Sequence, residues 1–127
     1  MTARILQIIV SLAGLCALVL GLVIWIANID LTDIHMLFGL LVTLGLLVMS
    51  IIALTAPGLR VWGMVGIVYA IIVPIFGESQ STMLVGNLHW LIQTLHMLVG
   101  IGALVLTGAL GARYRTLKRG EAKLEAS

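Results

Sequence analysis

The feature that most constrains this chain is a series of four long stretches almost free of formal charge. The first runs from Ile5 to Ile29, broken only by Gln7, Ser11 and Asn28, and the second from Ile34 to Ala56. The third, the shortest, covers Leu59 to Phe76, and the fourth extends from Leu88 to about Ala112. A helix needs about 20 apolar residues to cross the hydrocarbon core of a bilayer. Helices suit that medium because they pair their own backbone amides, which lipid cannot do. A chain of 127 residues therefore has room for four spans, short loops and a charged tail over 113–127. Only 9% of the residues are charged, against roughly a quarter in a soluble domain. A soluble globular enzyme is excluded. The expected fold is all-α: an integral membrane four-helix up-down-up-down bundle forming one transmembrane domain. The first stretch is longer than the apolar region of a signal peptide and lacks a cleavage site, so it is expected to stay as a membrane helix.

The breaks between spans have local causes. Pro57-Gly58 ends the second stretch in a tight turn, Pro74 predicts a kink or early stop in the third, and Gly77 to Asn87 is the only polar loop of any length. Asp33 is placed to cap the second helix. Charge then sets direction. Arg4, Arg60, Arg113, Arg115, Lys118, Arg119 and Lys123 all fall on one side, while the opposite loops carry Asp30, Asp33 and Glu78. The positive-inside rule puts both termini in the cytoplasm, as expected for a bacterial inner-membrane protein. The basic balance thus reads as topology, not as nucleic-acid binding. Cys16, the single cysteine, lies in an apolar run and permits no disulfide framework.

One internal repeat stands out: His35-Met36-Leu37-Phe38-Gly39 in the second helix and His96-Met97-Leu98-Val99-Gly100 in the fourth. A looser match pairs Gly21-Leu22-Val23 with Gly66-Ile67-Val68, suggesting two related helical hairpins. An ionisable side chain inside a span is a functional candidate, and here each histidine names the other as partner. Helices two and four of such a bundle are parallel and diagonal, and are expected to leave more room than adjacent helices packed about 8–10 Å apart. The pattern predicts one haem b whose iron is held by His35 and His96 near the non-cytoplasmic face. Gly39 and Gly100, four residues on and on the same helix face, would be pocket walls. The competing assignments are histidines that bond across helices and glycines that let helices pack closely. His89, on the same face about 10.5 Å higher, is a secondary candidate for a haem propionate, for proton exchange near a quinol, or as a solvated side chain. Trp90 reads as an interfacial anchor. A Cu(I) site using Met36 or Met97 is disfavoured, because neighbouring helical residues point about 100° apart. No lysine or arginine lies on the outer side to meet propionates, which leaves Gln93, Thr94 and His89.

Four helices with one histidine near the outer end of the second and one near the outer end of the fourth resemble one half of a haem A synthase. The pattern is also similar to a cytochrome b561-like bundle. The resemblance covers Ile5 to Ala112 in architecture and implies that His35 and His96 are axial ligands of a b haem. The chain departs from a whole synthase in having one such half and no paired loop cysteines, so synthase activity is not expected. The expected role is electron transfer with quinol or a redox protein, in contact with the lipid bilayer, and not stand-alone catalysis. The spans offer no nucleophile with a base, no phosphate loop and no convergent carboxylates. The alternative is a cofactor-free structural or assembly subunit of a larger membrane complex; a small carrier or channel ranks behind both. A homodimer could form through Ala17 with Gly21 or Gly108 with Ala112.

Overall fold

The computed structural model describes residues 2–126. Among these, four helices follow one another: α1 (Thr2–Ala27), α2 (Thr32–Leu54), α3 (Arg60–Ser79) and α4 (His89–Glu125), with a 3₁₀ turn at Gln80–Thr82. All four are long and apolar enough to cross a membrane. Large apolar side chains such as Ile26, Val61, Ile75 and Val105 stand on the outside, an arrangement that lipid tolerates and water does not. The chain is an all-α four-helix protein of the integral membrane class.

Close contacts fix the helix directions. Gly45 of α2 lies on Val10 of α1, and Gly21 of α1 lies on His35 of α2, so these two helices are antiparallel. Gly63 and Gly66 of α3 sit on Ser50 of α2, and Tyr69 of α3 donates its hydroxyl to the Val99 carbonyl of α4 at 2.9 Å. Gly14 of α1 meets Leu104 of α4. The order is up-down-up-down, closed by α1 against α4. Across the diagonals, α2 and α4 touch while, among the described residues, α1 and α3 do not. Of the two diagonals, the one between the histidine helices is thus the closer.

The room lies elsewhere, along the bundle axis. Leu46, Met49, Ser50, Ala103, Thr107 and Leu110 are at most 1% exposed, and with Val10, Val42 and Ala53 they form a core in the half that carries the basic residues. Small side chains make this possible: a Cβ on Gly45 would overlap Val10, and one on Gly66 would overlap Ser50. The buried hydroxyls are satisfied within their own helices, Ser50 donating to Leu46 O at 2.6 Å and Thr107 to Ala103 O at 2.7 Å. In the other half, over 17–27, 32–41, 74–79 and 89–102, Ile92 is the one fully buried residue. The bundle is tight at its basic end and loose at its histidine end.

Three local expectations change. Leu31 occupies the N-cap of α2 with no side-chain hydrogen bond, and Asp33 lies in the first turn without capping it. Asp30 is the residue that serves the helix start, its Oδ1 accepting the Thr32 amide at 3.2 Å. Pro74 lies inside α3, which continues to Ser79; Pro74 is exposed, so the ring that prevents one backbone bond meets no neighbouring helix. The loop expected from Gly77 is accordingly shorter, beginning after the 3₁₀ turn. Gly58, by contrast, performs the turn expected of it at φ +85, a conformation open to glycine. At 37 residues, α4 is about 55 Å long and carries the basic tail as a continuation of the span.

Candidate functional site

The two repeated histidines meet. The rings of His35 and His96 lie with centroids 6.0 Å apart and planes at 62°. Both are half-buried in the loose half of the bundle. Two imidazole nitrogens each about 2 Å from a shared metal ion would set their ring centroids about 6 Å apart, so the observed separation fits joint ligation.

Each ring is seated the same way, by a glycine of the preceding helix. A Cβ on Gly21 would stand 3.1 Å from His35 Cε1 and 3.5 Å from its Nδ1. A Cβ on Gly77 would stand 3.2 Å from His96 Cε1 and 3.9 Å from its Nδ1. Both rings therefore turn their Nδ1 and Cε1 edge to a glycine and leave the Nε2 and Cδ2 edge for other contacts. Gly21 and Gly77 were missed by sequence reading, which paired Gly21 with Gly66. The structure puts Gly66 on Ser50 and Leu110 in the tight core, far from a histidine ring. The proposed wall residues have a different setting: a Cβ on Gly39 or Gly100 would meet nothing within 4 Å. Open space lies beside both.

Hydrogen bonding separates the two rings. The Nδ1–H of His35 donates to the Ala17 carbonyl of α1 at 2.9 Å, which fixes its tautomer and leaves Nε2 with a lone pair, the way a metal-ligating histidine is usually held by a backbone carbonyl. His96 Nδ1 is buried and has no hydrogen-bond partner among the described residues. Besides His35, the Phe76 ring lies beside it, centroid 6.0 Å away. A buried polar atom without a partner costs about 1–3 kcal/mol, and here that cost falls on the edge packed against Gly77, not on the Nε2 edge.

The remaining candidates are less engaged. His89 begins α4 and its Nδ1–H donates to Met83 O at 3.1 Å, so its ring is tied to the α3–α4 loop. Thr94 spends its hydroxyl on Trp90 O at 2.9 Å, while Gln93 is half-buried and Trp90 exposed. Met36 is 52% exposed on the outside of α2, in keeping with packing and not metal ligation. Among the described residues no three His, Cys, Asp or Glu side chains converge on a metal position. Two imidazoles fall short of the four ligands of a closed zinc site, but they suit an iron whose other ligands come from a macrocycle. Of the small residues suggested for dimerisation, the two glycines face the bundle interior, Gly21 toward His35 and Gly108 toward Gln7, while Ala112 is exposed. The fold and site together define a class, a membrane four-helix bundle with a paired-histidine centre in its loosely packed half. Compared with known protein families, curated proteins and solved structures, the chain matches none.

Proposed function

We propose that the protein is a membrane b-type cytochrome that holds one haem between His35 and His96 and passes electrons to or from quinol or a neighbouring redox protein. The observation that carries this reading is the 6.0 Å ring separation, reached from two separate helices that each seat the ring on a glycine. Bound haem would supply one-electron redox chemistry. The chain's own residues hold and orient: Ala17 O fixes the His35 ring, Gly21 and Gly77 admit the two imidazoles, and the open sides of Gly39 and Gly100 leave space for a flat group. The tight core below excludes water from the basic side. With both termini cytoplasmic, as the charge distribution implies, the centre lies near the outer face, where a quinol or an external redox protein can reach it.

The bond from His35 to Ala17 favours a second reading, a cofactor-free subunit in which histidines only tie helices together. An absorption spectrum of the protein purified from haem-replete cells separates the two. Haem ligation gives a Soret band and a reduced α-band, both lost in His35→Ala and His96→Ala. A colourless preparation overturns it.

A further inference from the structure

The opposite end of the bundle holds a second cluster, unconnected with the histidines. Arg113 is occupied over the Trp62 ring at 4.7 Å, and Lys118 pairs with Glu121 at 2.7 Å. Arg4, Arg115 and Arg119 instead line one cleft of about 530 Å³ between α1 and α4, together with Gln7 and Ile8. Among the described residues no carboxylate forms an ion pair with any of the three.

The cleft is organised from below. Arg115 donates from Nη1 to Gln7 Oε1, which aims a partly buried guanidinium along the seam. Two glycines provide the seat: a Cβ on Gly111 would stand 3.1 Å from Gln7 Oε1 and 3.3 Å from Arg115 Nη1, and one on Gly108 would stand 3.5 Å from Gln7 Nε2. Arg4 lies three residues before Gln7 and Arg119 four after Arg115, so each flanks the pair on its own helix face. Guanidinium groups offer planar forks of N–H donors that match phosphate oxygens two at a time. Ile8, 51% exposed, gives the cleft an apolar wall on the side of the span.

We propose that this cleft binds a phosphate group, either the headgroup of an anionic phospholipid or a soluble phosphate ester. Three uncompensated cations at the end of a membrane span provide the attraction, and the fixed Gln7–Arg115 pair provides the position.

The test uses full-length protein, delipidated in nonionic detergent and titrated with phosphatidylglycerol, phosphatidylcholine or inorganic phosphate, with bound species counted by native mass spectrometry. Phosphatidylglycerol is expected to bind more tightly than phosphatidylcholine. Competition by inorganic phosphate identifies a soluble ester as a sufficient ligand, and its failure to compete identifies the lipid. Arg4→Gln and Arg119→Gln should each weaken binding about fivefold, the worth of one cation at a charged membrane surface. Arg60→Gln removes the same charge from the start of α3, outside the cleft, and should leave binding unchanged. The proposal is overturned if neither anion binds, if phosphatidylcholine binds equally, or if Arg60→Gln and Arg119→Gln weaken binding alike, which would mean surface potential alone.

Discussion

Replacing Gly39 by leucine separates the fold from the proposed cofactor. A Cβ at this position meets nothing within 4 Å, so in the protein without haem the new side chain starts into open space. Glycine in a helix interior is about 0.8–1.0 kcal/mol less favourable than alanine, and leucine is close to alanine. The apoprotein should therefore unfold at the same temperature as the parent or a few degrees higher. The haem-loaded protein should behave oppositely. With the proposed ring placed beside Gly39, leucine takes its space, and overfilling a packed site costs about 1–3 kcal/mol, or roughly 5- to 150-fold in affinity. The assay is haem content per polypeptide from the reduced-minus-oxidised spectrum, measured beside thermal unfolding in the same detergent. Gly21→Val supplies the contrast: its side chain presses on His35 Cε1 and should disturb both fold and haem. A stable Gly39→Leu protein with parental haem content and an unchanged spectrum would refute the placement of the ring.

Three further outcomes follow from the same contacts. In the apoprotein His35→Ala loses the bond to Ala17 O, worth about 1 kcal/mol, while His96→Ala removes a buried nitrogen that has no partner; denaturation should show the first variant to be the less stable. Leu46→Ala, at a fully buried core position, should cost about 2–5 kcal/mol and leave the haem spectrum of the folded fraction unaltered, since Leu46 lies in the tight half. The Asp30 carboxyl is held below its ordinary value near 3.8 by hydrogen bonds from the Thr32 side chain and backbone. A depressed value means that stabilisation of the α2 start is present above that ordinary value and is lost as pH falls below it. An acid titration should show this loss in the parent and its absence in Asp30→Asn.

Much of the fold was legible because membrane insertion leaves few choices: uncharged stretches of sufficient length must become helices, and Pro57-Gly58 must turn. The meeting of the two histidines was legible for a related reason. A histidine in a span is costly enough that two in matching five-residue settings invite a joint explanation. The seats of those histidines were not legible. Gly21 precedes His35 by 14 residues and Gly77 precedes His96 by 19, because the α1–α2 connection is short and the α3–α4 connection carries a 3₁₀ turn and a loop. A search for fixed spacing cannot align the two, so Gly66 took the place of Gly77. Asp33 misled in a similar way, since its residue type suits a cap but the chain enters α2 two positions earlier. The Gln7–Arg115 contact, between residues 108 apart in sequence, carries no local signal at all.

What joins these observations is the division of the bundle along its axis. Stability resides in the basic half, where Leu46, Met49 and Leu110 are closed off and small residues bring helices together. That concentration frees the histidine half from having to pack, and a cost such as the orphaned His96 nitrogen can be carried there. A purely structural role for the pair would predict the reverse, with both rings bonded across helices as His35 is to Ala17. Instead the two hairpins present the same imidazole edge to a glycine and turn the opposite edge away. A single ligand with two equivalent faces answers to that repeated geometry, which is why the haem reading is preferred to one that treats the histidines separately.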